Sequence, residues 1–248
     1  MAAVAKKARN ALHRARTEIR LRRAGHGDMA RAVAVAYRVR PAAPLAVWSE
    51  RIEAERARLH ADRSDLAGEP LGVVARRDST SRRRCQSMAA LVAATGARSV
   101  VEMGTAVGIS SAYLAAALET GGGGRVITLD LSPERHAVAR ALHERLGLEA
   151  RVEARTGPFA ATLDGALADA APIDVLFVDG HHQHEPTLQY YEQARPHLAP
   201  GAVVIFDDIR WSDGMRKAWA AVQQAPQTAA VADLGATGWV RVASVPVA

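Results

Sequence analysis

Val100-Val101-Glu102-Met103-Gly104-Thr105-Ala106-Val107-Gly108-Ile109-Ser110-Ser111 is the stretch that decides how the chain is read. Its β-branched apolar start reads as a buried strand. Gly104 and Gly108 permit a tight turn and a close backbone approach to whatever lies above it. An alanine-rich helix follows over residues 112–118, with Ser110 in the N-cap position. The free N–H groups at such a helix start favour an anion. Alone, the stretch fits a ligand-binding turn or an ordinary strand-to-helix turn of an α/β domain.

Downstream the pattern is regular. Residues 125–130, 150–154, 173–179 and 202–207 read as strands, and residues 133–146, 159–168, 185–197 and 213–224 as helices between them. Such alternation predicts right-handed βαβ units and a parallel sheet. Residues 228–234 and 239–245 flank a glycine-bearing turn and predict an antiparallel hairpin at the sheet edge. The fold class expected is therefore α/β, a Rossmann-like doubly wound sheet, mostly parallel, with an antiparallel C-terminal hairpin.

Upstream the pattern is looser. Residues 1–23 are rich in Ala and Arg, with Leu12, Ile19 and Leu21 at loosely helical spacing, and residues 29–39 are helical until Pro41 and Pro44. A helix is predicted from Ser49 with Ile52, Leu59 and Leu66 toward a core. Residues 71–75 read as a short strand or extended pass, residues 78–84 as a polar loop and residues 88–94 as a helix. Two units are expected: a basic, mainly helical N-terminal extension or cap over residues 1–84, and a ligand-binding domain over residues 85–248.

Composition narrows the function classes. Of 248 residues 49% are hydrophobic but only 4% aromatic, so Ala, Val and Leu must fill the core. The longest apolar runs are too short to cross a bilayer. Lys6, Lys7 and Arg9 precede no uninterrupted apolar run, so no secretory signal is read and a cytoplasmic location is expected. The lone Cys85 excludes an intramolecular disulfide and a cysteine-based metal site. Residues 1–98 carry 21 Lys and Arg against 9 Asp and Glu, a net +12, whereas the remainder nets −6. The basic front fits a phosphate-binding surface or a solvated, arginine-rich one. Its only aromatics are Tyr37 and Trp48, few for stacking on bases.

Open parallel sheets bind ligands beyond the carboxyl ends of their strands. Three acidic strand ends stand out there: Asp130, Asp179 and Asp207. Asp130 comes 26 residues after Gly104, where a ribose hydroxyl would lie. A dinucleotide fingerprint would need glycine at positions 106 and 109, which hold Ala106 and Ile109.

The stretch from Val101 to Ser110, the Asp130 strand end, residues 173–179 and Pro200-Gly201-Ala202-Val203-Val204-Ile205-Phe206-Asp207-Asp208 together resemble class I S-adenosylmethionine-dependent methyltransferases. The resemblance is to the catechol/caffeoyl-CoA O-methyltransferase-like group and related antibiotic-tailoring O-methyltransferases. It covers roughly residues 85–245, and residues 1–84 carry none of these motifs. It implies S-adenosyl-L-methionine as cofactor. Gly104, Thr105 and Gly108 would cradle its methionine end, Ser110 would meet its carboxylate, and Glu102 would be an acidic anchor. Asp130 would hold the ribose, and Gly157 and Phe159 would lie near adenine. Phe159 fits a core position equally well.

The resemblance also implies Mg²⁺ or a similar cation on Asp179, Asp207 and Asp208, whose hard oxygens suit it. The metal would clamp an acceptor hydroxyl and lower its pKa. The alternative is that these carboxylates cap turns or position substrate. His181 stands where the tailoring enzymes place a general base, with Asp179 beside it and His182 and His184 as alternates. Trp211 would overhang the acceptor pocket or pack with Trp219, and Arg210 would meet an anionic acceptor. The expected function is O-methylation of a small-molecule hydroxyl, metal-assisted. The rivals are an RNA methyltransferase using the basic segment and a cofactor-binding regulatory module without turnover. Residues 1–84 would cover the pocket or form a homodimer surface.

Overall fold

The computed structural model describes residues 2–37 and 39–244. Three helices lead: α1 (Ala2–Arg23), α2 (Gly27–Tyr37) and α3 (Ala43–Ala61). Two two-residue strands follow, β1 (Asp65–Leu66) paired antiparallel with β2 (Glu69–Pro70), then α4 (Leu71–Asp78) and α5 (Arg82–Thr95). The alternating part runs β3 (Ser99–Met103), α6 (Ile109–Thr120), β4 (Arg125–Asp130), α7 (Pro133–Leu146), β5 (Val152–Thr156), α8 (Phe159–Ala170) and β6 (Ile173–Val178). It continues with α9 (His184–Ala194), β7 (Leu198–Phe206), α10 (Asp213–Gln224), β8 (Thr228–Asp233) and β9 (Gly238–Val242).

The seven-stranded sheet has the order β5-β4-β3-β6-β7-β9-β8. Strands β5 to β7 pair in parallel, while β9 is antiparallel to both β7 and β8. The expected doubly wound sheet with its C-terminal hairpin is what forms. The hairpin's second strand closes at Val242, and Val245 lies outside the described residues.

Strand order reverses between β3 and β6, which opens a crevice above their carboxyl ends. Helices bury both faces, so β3, β4 and β6 read as continuous apolar runs. One core joins Leu21, Met29, Ile52, Met88 and Leu91 to Tyr113, Val100 and Trp239; the other joins Val101 and Met103 to Leu163, Leu176 and Phe206.

The structure departs from the sequence reading mostly in the N-terminal third. Pro44 begins α3 rather than ending a helix, because a proline in the first turn lacks only an N–H that has no partner there anyway. Ser49 is therefore mid-helix and buried, bonding the Tyr113 hydroxyl at 2.8 Å and accepting from Gln86 at 2.8 Å. Leu66 belongs to β1, not to that helix. Residues 71–75 are helical, because burying Leu71, Val74 and Ala75 on one side outweighs the strand preference of two valines. The helix after the opening turn begins at Ile109 with Gly108 as cap, so Ser110 sits inside the first turn.

Candidate active site

The C-terminal end of the sheet opens into a cavity of about 910 Å³. Its floor is the turn after β3. Gly104 has φ +108°, and a Cβ there would collide with the backbone carbonyl oxygen of Asp179. The turn therefore brings the ends of β3 and β6 closer than any side chain would allow. Gly104 and Thr105 both donate to the carbonyl of Leu129, which ties the turn to β4 as well. Gly108, at φ +86°, directs the chain into α6. Ile109 and Ser110 thus present first-turn N–H groups at the cavity wall.

Asp130 stands at the end of β4 and is almost buried. One oxygen accepts from the Ala106 N–H at 2.8 Å and the other from Ser132 at 3.0 Å. Each carboxylate oxygen retains a second acceptor site, which suits a vicinal pair of hydroxyls. A buried hydrogen-bonded chain lies beneath the turn. His136 joins Thr156 at 2.6 Å to Thr105 at 2.9 Å, Thr105 meets Thr128 at 2.6 Å, and Thr128 donates to Glu102 at 2.6 Å. Glu102 is fully buried and its second oxygen has no hydrogen-bond partner among the described residues. Burial pushes its carboxyl up to about 7, with the hydrogen bond from Thr128 opposing.

Across the crevice, Asp179 and Asp207 end β6 and β7, and their carboxylates face the same cavity. Burial holds the Asp179 carboxyl well above the usual carboxylate range, reinforced by the charges of Asp207, Glu102 and Asp208. Thr80 donates to it at 3.4 Å, and His182 lies 3.7 Å away. Asp207 is likewise raised by burial, with the Arg84 guanidinium opposing. Nη1 of Arg84 donates to both oxygens of Asp207, at 2.6 and 2.7 Å, and lies 3.8 Å from Asp208.

His181 lines the cavity, exposed. Its Nδ1 pairs with the Tyr190 hydroxyl, and its ring meets Phe159 edge-on at 5.6 Å. Phe159 also meets Tyr190 edge-on at 5.5 Å, so it is a cavity wall within an aromatic trio. Ala106, His181, His182 and Asp208 all take positive φ, between 44° and 59°, on this one wall. Strain gathered where a ligand would bind is a mark of a functional site.

Of the residues singled out from sequence, Gly104, Thr105, Ser110, Asp130, Phe159, Asp179, His181, Asp207 and Asp208 all line the cavity. Glu102, Gly108 and Gly157 do not; they support the wall from behind. Trp211 lines it, 74% exposed, and does not share the buried place of Trp219. Arg210 pairs with Asp233 at 2.8 Å and stays off the wall.

The expected metal triad meets a competing cation. Among the described residues no group of three or more His, Cys, Asp and Glu side chains is placed to hold a metal ion. Asp179, Asp207 and Asp208 share a cavity, but a guanidinium already fills the seat on Asp207. The residues as arranged do not fit the cation. Arg84, Thr80 and Tyr190 were missed from sequence. A signal for Arg84 lay in helical spacing: once α5 begins at Arg82, Arg84 heads the row continued by buried Met88 and Val92.

Residues 101–209 match the family model of a methyltransferase domain. The match agrees with the resemblance read from the motifs of this segment. The chain spans about half the length of the curated relatives it matches. It is 37% identical over 119 residues to a catechol O-methyltransferase of Mycobacterium tuberculosis, across 48% of this chain and 51% of that one. It is 32% identical over 114 residues to a catechol O-methyltransferase of Niastella koreensis, across 46% and 50%. Among solved structures it resembles an O-methyltransferase from Bacillus cereus in complex with S-adenosylhomocysteine, with 26% identity, TM-score 0.58, and coverage of 84% of this chain and 93% of that one. TomG from Streptomyces achromogenes, at 20% identity and TM-score 0.58 over 83% and 92%, shares the fold.

Proposed function

We propose that the protein is an S-adenosylmethionine-dependent O-methyltransferase acting on a small-molecule hydroxyl. The observation that carries this reading is a single cavity with two chemically distinct ends. One end holds the glycine turn, the α6 N–H groups and Asp130; the other holds Asp179, His181 and the Arg84–Asp207 pair. The first suits a zwitterionic nucleoside: N–H groups for its carboxylate, a carboxylate for its ribose hydroxyls. The second suits an acceptor that must lose a proton.

The reaction is a displacement at carbon. An oxygen lone pair of the acceptor forms the new C–O bond, the C–S bond breaks, and its electron pair returns to sulfur as a neutral thioether. The acceptor's proton passes to Asp179 or to His181. A carboxyl held above its usual range is a better base than an ordinary one, and an imidazole nitrogen not bonded to Tyr190 can accept a proton. Positioning supplies the rest, because both partners must lie in line within van der Waals reach. Trp211, Phe159 and His181 line that pocket, and Tyr190 packs against Phe159 and His181. No step is routed through a divalent metal.

The RNA alternative has less support. Part of the basic front is engaged in ion pairs: Arg56 with Glu53, Arg58 with Glu55, Arg77 with Asp78 and Arg84 with Asp207. A panel of phenols, catechols and hydroxycinnamoyl thioesters, assayed for S-adenosylhomocysteine release, tests the proposal. Turnover on at least one member is expected. Tight cofactor binding with no release across the panel would favour the regulatory-module reading instead.

A further inference from the structure

We propose that Arg84 is a built-in cation that takes the place a divalent metal would have among Asp179, Asp207 and Asp208, making the acceptor end of the site metal-independent. This deepens the methyltransferase reading and rests on it for the acceptor's role. Three carboxylates facing one cavity repel one another and require a positive charge nearby. The only guanidinium that bonds them among the described residues is that of Arg84, reaching across from the start of α5.

The contact is built, not incidental. Nη1 is shared between both oxygens of Asp207, itself almost wholly buried, and reaches toward Asp208. Nε lies 3.3 Å from the Ser81 hydroxyl, which helps fix the plane of the group. Arg84 is half-buried, one residue before buried Cys85 and one helical turn before buried Met88. A divalent ion on Asp207 would therefore have to evict a permanently charged group from a low-dielectric wall or bind directly against it. Either is unfavourable.

Nη2 makes no hydrogen bond among the described residues, and Arg84 lines the cavity. It is free to donate to the acceptor's oxygen and to hold it as the anion. A guanidinium polarises an oxygen less than a doubly charged metal does, so the acceptor class narrows. The hydroxyl must already be acidic, as in a phenol or enol, and an aliphatic alcohol would not react. Arg84 touches the substrate in this account; Asp207 is a positioning residue that acts through it.

Calorimetric titration of Mg²⁺, with Mn²⁺ followed in parallel by its free-ion resonance, tests this on the full chain without turnover. Wild type is expected to bind neither, whereas Arg84→Met, which uncovers the carboxylates, should gain a site with a Kd near or below about 1 mM, the weak end for oxygen-ligand sites. Arg84→Lys, which keeps the charge, should stay at least about tenfold weaker than Arg84→Met. Saturable Mg²⁺ or Mn²⁺ binding by wild type would overturn the proposal. So would a folded Arg84→Met variant that binds no cation. If Arg84→Met does not fold, the wild-type Mn²⁺ titration and Arg84→Lys decide in the same way. S-adenosylhomocysteine titrated into the same samples separates the two ideas: its failure to bind wild type would sink the methyltransferase reading, and metal binding alone would sink only the role of Arg84.

Discussion

The two ends of the cavity are built by different means. The cofactor end is made almost entirely of backbone set by local sequence: a glycine turn, the start of α6 and one carboxylate at the end of β4. The acceptor end is made of side chains from distant places, with Thr80 and Arg84 meeting Asp179 and Asp207 across separations of 99 and 123 residues. An end encoded in spacing is robust to what surrounds it. An end assembled from charges depends on each partner, and one arginine can change its chemistry.

The largest expected effect probes the backbone-built end. Gly104→Ala forces a Cβ into the Asp179 carbonyl at a backbone angle of φ +108°. A loss of about 3 kcal/mol is expected, a fall in Tm of roughly 6–12 °C. Thr80→Val at the other end, removing one 3.4 Å bond, should cost well under half as much by the same thermal scan. Equal losses would break the contrast.

The next effect is of similar size and appears only as a function of pH. Glu102 rises from its ordinary value of 4.5 to about 7 in the fold, burial being the main cause. A raised carboxyl stabilises the fold below its unfolded pKa, and that contribution is lost as pH rises through the folded one. Replacing it by Glu102→Gln should therefore make the variant gain on wild type by about 3 kcal/mol between pH 4.5 and 7 in urea unfolding. The difference between proteins must be read, because His143, held down to about 4 by burial, has the opposite slope in the same window. A flat difference curve would mean that the chain beneath the turn ionises freely.

The smallest effect sharpens the acceptor end. Trp211 is exposed at the cavity rim, beyond the end of β7, so Trp211→Ala should raise the acceptor KM several-fold, a loss of about 1 kcal/mol. Affinity for S-adenosylhomocysteine should stay within about twofold.

The same division explains what was legible in the sequence. Alternating apolar runs, acidic strand ends and two glycines are local signals, and they predicted the sheet and the hairpin; the family resemblance added Phe159, His181 and Asp208, which line the cavity. Ser110 was misplaced by one helix boundary, because Gly108 could end the turn earlier than a serine cap would. The N-terminal third was read poorly for a physical reason: its helices are fixed by packing against α5 and α6, not by their own periodicity. Arg84 closes a run of three arginines, and its spacing to Met88 and Val92 singles it out only once the start of α5 is known. Carboxylate spacing is visible in a sequence, and the guanidinium opposing it on Asp207 is not.

The central claim is that the turn after β3 and Asp130 form a site for S-adenosylmethionine. Calorimetric titration of S-adenosylhomocysteine into wild type, Asp130→Ala and Asp207→Ala tests it directly. Removing a charge-assisted acceptor of two hydroxyls should weaken binding by roughly 10- to 100-fold in Asp130→Ala. Asp207→Ala, at the other end, should leave it within about twofold. Undiminished affinity in Asp130→Ala, or no binding to folded wild type, would contradict the account.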